Sequence, residues 1–286
     1  YKKGGEAMGK YIPNTSTEQK EMLKEIGFAS FDELFSHVPK EVKLSAELNI
    51  PSGKSELEVR KIMTGMAKKN HVFPVIFRGA GAYRHFIPAI VKSVISKENF
   101  LTSYTPYQAE TSQGVLQSIF EYQTMICDIT GMDVSNASIY DGASAAAEAV
   151  NMCRERKRSK ALVSALMHPD YISAIKTYCH GNGMEVEIIR EKNGLTDIDY
   201  IKAHADEGTA VVFIQHPNFH GNLEKAQEIG EIAHEKGAKF GMSVNPISLG
   251  LVKSPREYGA DVAVGDGQAL GLPISFGGPY IGFMAC

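Results

Sequence analysis

Ala210-Val211-Val212-Phe213-Ile214 is a run of apolar residues with no polar residue between them. A strand with one wet face alternates apolar and polar side chains, whereas a strand covered on both faces has no need to. Similar runs recur outward from it, at 161–165 and 186–189 before and at 240–244 and 262–264 after. Helical stretches separate them, near 171–179, 198–205 and 224–236. Repeated strand–helix units of this length predict a mostly parallel sheet flanked by helices, the α/β class.

Upstream, Val115, Leu116, Ile119, Phe120, Ile126 and Ile129 fall at helical spacing and Gly131 stops them. Asp141-Gly142 then opens an alanine-rich helix expected over 143–158. Its basic end, Arg154-Glu155-Arg156-Lys157-Arg158, would place cations at the carbonyl end of the helix dipole. Residues 16–70 read as a charged helical arm. Ser16 or Thr17 caps a first helix stopped by Gly27, and a short second one starts at Ser30. Ser55-Glu56-Leu57-Glu58 has the capping-box pattern and opens a third helix carrying Val59, Ile62, Met63 and Met66. The expected organisation is an arm over 1–70 and one large α/β domain over 71–286.

Composition narrows the function classes. The 286 residues are 43% hydrophobic and 22% charged, with 30 basic against 33 acidic side chains and a net charge of −3. Those are the proportions of an ordinary soluble globular protein, without the basic surplus of a nucleic-acid binder. Cys127, Cys153, Cys179 and Cys286 form no CxxC pair and are expected as reduced thiols in a cytoplasmic protein. No apolar run approaches the roughly 20 residues that span a bilayer, and no signal peptide opens the chain. Tyr1 to Ala7 read as a remnant ahead of a natural start at Met8, and the last residues, 282–286, read as a strand in a chain cut short.

Ligands of open α/β sheets gather at the carboxyl ends of the strands and at helix N-termini, whose free N–H groups attract phosphate. Tyr140-Asp141-Gly142-Ala143-Ser144-Ala145 is such a helix mouth; it reads equally as a tight helix start with Asp141 as its cap. His168 follows one strand, Asn245 another, and His216-Pro217-Asn218-Phe219-His220 a third. The two histidines of the last stretch sit on a proline turn, share no helix face and have no acidic ligand beside them, so no metal is expected. Between the arm and the helices, Phe77-Arg78-Gly79-Ala80-Gly81-Ala82-Tyr83 and Tyr104-Thr105-Pro106-Tyr107-Gln108 read either as ligand- or partner-facing loops or as surface connections packed by their own aromatics. No GxGxxG, Walker loop, HExxH or GxSxG is present, which argues against nicotinamide enzymes, NTPases, zincins and serine hydrolases. Polar strand ends on one sheet edge suit a cofactor enzyme of the pyridoxal-phosphate type.

Longer blocks carry a resemblance. Tyr104-Thr105-Pro106-Tyr107-Gln108-Ala109-Glu110-Thr111-Ser112-Gln113-Gly114, then Phe120-Glu121-Tyr122-Gln123-Thr124-Met125-Ile126-Cys127-Asp128-Ile129-Thr130-Gly131-Met132, resemble the signature of the glycine decarboxylase P-protein family. Asn136-Ala137-Ser138, Ala145-Ala146-Ala147-Glu148-Ala149, Pro255-Arg256-Glu257-Tyr258-Gly259-Ala260-Asp261 and Phe276-Gly277-Gly278-Pro279 continue it in order, so that it covers about residues 10 to 286. Asp32-Glu33-Leu34-Phe35 in the arm is similar to the family's separate alpha subunits.

The resemblance implies the large domain of fold-type I pyridoxal-phosphate enzymes, lacking the smaller C-terminal domain of the family. It implies a beta subunit as partner, glycine as substrate, and transfer of the aminomethyl group to the lipoyl arm of the H-protein. In the family the cofactor-bearing lysine lies shortly before a Gly-Pro turn. Counting back from Gly277-Gly278-Pro279 puts its counterpart at Gln268, and no lysine occurs from Ser254 to Cys286. An amide cannot form an imine, so the cofactor is expected on the beta subunit and not covalently on this chain. His168 falls at the family's ring-stacking histidine. Asn245 stands where a carboxylate meets the ring nitrogen, a departure from related alpha subunits. Asp141, Gly142 and Ser144 fall at the phosphate position. These are expected to be remnants of a duplicated pocket. The expected contribution of the chain is made across the interface by Tyr104, Thr105, Tyr107 and Gln108, with Arg78 and Tyr83, in positioning roles. The rival readings are a scaffold for the beta subunit and an autonomous decarboxylase or aminotransferase, which would need the missing lysine.

Overall fold

The computed structural model describes residues 14–44, 49–77, 79, 84–101, 106, 113–278 and 280–286. The chain divides into Tyr1–Pro74 and Val75–Cys286. Among its described residues the first unit holds three helices, α1 (Ser16–Glu25), α2 (Phe31–Leu34) and α3 (Glu56–Ala67). Their starts follow from local chemistry. Ser30 caps α2, and Ser55 with Glu58 forms the anticipated capping box of α3. The cap of α1 is Thr15, one residue before the expected Ser16, because Glu18 lies three residues on and completes a box with it.

The second unit begins with α4 (Ala89–Ile95), α5 (Glu98–Leu101) and α6 (Gly114–Thr130), then α7 (Gly142–Met152). The sheet follows: β1 (Lys160–Ser164), α8 (Pro169–Asn182), β2 (Glu185–Ile189), the small hairpin β3 (Glu191–Lys192) and β4 (Leu195–Thr196), α9 (Ile198–His204), β5 (Thr209–Gln215), α10 (Ala226–Glu235), β6 (Lys239–Ser243), β7 (Val262–Asp266) and β8 (Gly282–Ala285). The main sheet has the order β2-β1-β5-β6-β7-β8. All its pairings are parallel except the last, in which β8 runs against β7. No helix among the described residues is long and apolar enough to cross a membrane.

The uniform apolarity of the strands has the expected cause. Leu162, Val212, Ile214, Phe240 and Met242 point into one core layer with Ile201, Ile229 and Ala233 from α9 and α10. Their neighbours Ala161, Val163, Val211, Phe213, Val262 and Val264 point into the other, against the alanines of α7 and Ile175 and Cys179 of α8. Alternate residues feed opposite layers, so both must be apolar. Burial pushes the Cys153 thiol up to about 12, where it stays protonated.

Two sequence expectations need correction. The alanine-rich helix ends at Met152 with Cys153 as its cap, not at Arg158. Glu155 and Arg158 instead pair across a tight turn that delivers the chain to β1. The Arg158 guanidinium donates to the carbonyls of Thr209 (3.0 Å) and Lys236 (3.2 Å), so it ties other segments together and does not terminate a helix. In the α6 stripe Ile126 is fully buried, but Phe120 stands exposed.

Candidate functional site

Because β1, β5, β6 and β7 are parallel, their carboxyl ends share one edge. The mouth of α7 is joined to that edge at the end of β7. Gly142 N–H donates to one oxygen of the Asp266 carboxylate (3.2 Å), and Gln268 N–H donates to the other (2.8 Å). Asp141 turns its own carboxylate inward to accept from Ser144 N–H at 2.7 Å. The first turn of α7 is therefore capped twice, once locally and once from far along the chain.

Tyr171 of α8 closes over this mouth. A Cβ added to Gly142 would lie 1.8 Å from the tyrosine oxygen and 3.0 Å from the Asp266 Cβ, so only glycine permits this approach. Burial drives the Tyr171 hydroxyl far above its usual range, helped by the Asp266 and Asp141 charges. Burial likewise holds the Tyr122 hydroxyl up at about 12, with Asp266 again contributing, and that hydroxyl is buried without a partner among the described residues. Asp266 itself is raised above its ordinary value, first by desolvation. Beside the mouth a groove of about 1010 Å³ is lined by Tyr140, Asp141, Ser144, Glu148, Tyr178 and Tyr280, among others.

His168 caps α8, its Nδ1 accepting from Asp170 N–H at 3.1 Å. Its ring lies 5.4 Å from that of Tyr171 and meets Phe219 edge-on at 4.9 Å. Asn245 is exposed and folds its side chain onto Ile247 N–H (2.9 Å), starting the short turn after β6. Gln268 is buried, and its side-chain amide donates to Leu272 O at 2.6 Å, within its own turn. Of the sequence-predicted residues, the structure thus brings together Asp141, Gly142, Ser144 and Gln268, links His168 to them through Tyr171, and leaves Asn245 apart. Arg78, Tyr83, Tyr104, Thr105, Tyr107 and Gln108 lie outside the described residues. Asp266 and Tyr171 are site residues to which the sequence alone assigns no role. Asp266 ends a strand immediately before the Gln268 turn, and that position was the available signal.

His216 is the second histidine of this edge, and it is buried. Its Nδ1 accepts from Glu224 N–H at 3.1 Å, so the neutral ring carries its proton on Nε2, which is buried without a partner among the described residues; the ring meets that of Tyr258 edge-on at 5.0 Å. Burial pulls its pKa below the ordinary 6.5. A depressed histidine holds the fold best while neutral, so its contribution is complete above the unfolded value and lost as pH falls through the folded one. The expected NMR titration of the His216 ring has its midpoint below the ordinary 6.5; a midpoint at or above it would contradict this burial.

A parallel sheet with an antiparallel last strand, helices on both faces and polar strand ends on one edge defines the large domain of fold-type I pyridoxal-phosphate enzymes. A cysteine desulfurase from Thermococcus onnurineus shares this fold, with a TM-score of 0.55 at 19% identity over 82% of this chain and 58% of its own. The chain belongs to the glycine cleavage system P-protein family, whose profile matches residues 9–286. It is 52% identical over 96% of its length to the probable glycine dehydrogenase (decarboxylating) subunit 1 of Carboxydothermus hydrogenoformans, and 49% identical over 97% to that of Desulforamulus reducens. A crystal structure of a glycine decarboxylase (P-protein) in inhibitor-bound form superposes with a TM-score of 0.86 at 43% identity, over 96% of this chain and 62% of that one. The chain spans 63% of the length of those two subunit 1 relatives.

The strand-edge residues do not fit pyridoxal phosphate. No amine stands at position 268, and the amide there is spent on its own turn. The helix mouth offers carboxylates where a phosphate would need donors.

Proposed function

We propose that this chain is the cofactor-free half of a glycine-decarboxylating pair. Membership of the P-protein family together with a glutamine at the lysine position carries the reading. The partner is a lysine-bearing beta subunit that holds pyridoxal phosphate, which when bound supplies the electron sink for loss of the glycine carboxylate. The product aminomethyl group passes to the lipoyl arm of the H-protein, in the cytoplasm. This chain adds Tyr104, Thr105, Tyr107 and Gln108, with Arg78 and Tyr83, as groups that position glycine and close the partner's pocket. Hydroxyls, an amide and a guanidinium suit that task because they can donate hydrogen bonds to a carboxylate while keeping their own protons.

The test is reconstitution of the full-length pair with glycine–bicarbonate exchange as readout. The mixture is expected to exchange and each subunit alone is not. Tyr107→Phe with Gln108→Ala should lower exchange by on the order of tenfold or more, the usual cost of misplaced substrate, while the pair still co-elutes. Unchanged exchange in that variant would leave the chain a scaffold.

A further inference from the structure

We propose that the α7 mouth is sealed against phosphate by two carboxylates, so that returning a lysine to position 268 would not by itself restore a cofactor site. The proposal rests on the hydrogen bonds at the mouth and holds whether or not the chain works in a pair. A helix N-terminus ordinarily attracts anions because its first N–H groups are free and its dipole is positive there. Here Ser144 N–H is taken by Asp141 and Gly142 N–H by Asp266.

Asp141 alone would be an ordinary cap. Asp266 is different in kind, because it arrives from 124 residues away and is partly buried. It accepts from both Gly142 and Gln268, so the strand end, the former lysine turn and the helix mouth share one anion supplied by the protein. A phosphate placed there would face two negative groups and find two of its expected donors engaged. Tyr171, pressed onto Gly142, removes the remaining room on that side.

The decisive measurement is binding of inorganic phosphate and of pyridoxal phosphate by calorimetry, comparing the native chain with Asp141→Asn/Asp266→Asn. Asp141→Asn keeps an oxygen for Ser144 N–H, Asp266→Asn keeps one oxygen for the N–H groups of Gly142 and Gln268, both charges are removed, and circular dichroism checks the fold. The native chain is expected to bind neither anion saturably, and the neutral variant to bind phosphate at least about tenfold tighter, as expected when like charge is removed from a partly desolvated site. If the double variant fails to fold, Asp266→Asn alone is read the same way. Gln268→Lys added to each background supplies a second readout, a borohydride-fixed adduct mapped to position 268. It is expected only in the neutralised background. Saturable phosphate binding by the native chain, no gain on neutralisation, or an adduct at 268 with both aspartates in place would each overturn the proposal.

Discussion

Gly265→Ala is expected to unfold the sheet edge that carries the site, at a cost of about 3 kcal/mol or more, the upper range for overpacking a core. A Cβ at this position of β7 would lie 2.2 Å from the Val244 carbonyl oxygen and 2.5 Å from the Phe283 ring. Neither can give way cheaply. Val244 is bonded to β7 through its N–H (2.8 Å to Val264 O), and Phe283, fully buried, is the residue opposite Gly265 in the antiparallel pairing with β8. Pushing β8 away would also release Gly282, whose own backbone fits against Asp141 O with no space for a side chain. Gly181→Ala, on the exposed side of α8 where nothing lies within 4 Å, serves as the contrast. It should stabilise by about 0.5–1 kcal/mol, since glycine costs a helix that much. For a unit of this size the first change lowers the melting temperature by roughly 6–12 °C. A Gly265→Ala protein melting with the native one would show that β7, β6 and β8 do not pack this way.

The parts of this fold legible in the sequence are those set by local or uniform rules. Fully apolar runs mark strands covered on both faces, and the capping box at Ser55 marks a helix start. The β3–β4 hairpin is not among the sequence expectations: Asn193-Gly194 has the positive φ values (56° and 75°) that a tight two-residue turn demands, but the flanking strands are too short to announce themselves. The site was legible at the family's motif positions but not in its chemistry. Asp141 reads as a phosphate site or a cap with equal ease, and only the arrival of Asp266 decides between them. No periodicity encodes a contact over that separation. The same limit explains the shortened start of α10: residues 224 and 225 continue its pattern, but the Glu224 side chain is needed elsewhere.

Glu224→Ala should cost about 2–4 kcal/mol, because it strands two buried donors and nothing else on this edge can replace it. The Glu224 carboxylate is buried and accepts from Thr196 N–H at 2.9 Å and from the Asn218 amide at 2.8 Å. Asn218 also donates to Gly194 O and accepts from the N–H groups of His220 and Asn222. One carboxylate therefore anchors both the β3–β4 hairpin and the loop after β5. That loop carries Phe219, whose N–H is fixed to Leu166 O at 2.8 Å and whose ring lies against His168. Loss of Glu224 should loosen Phe219 and let the His168 ring move, so the damage reaches the site without touching it. Glu224→Gln has the same shape but offers one acceptor where two donors wait, and about half the penalty is expected. Hydrogen exchange at Thr196 N–H reads this directly: protection should collapse in the alanine variant and survive in part in the glutamine one. Equal protection in all three proteins would mean that hairpin and loop are held by other contacts, and that the placement of His168 owes nothing to this buried network.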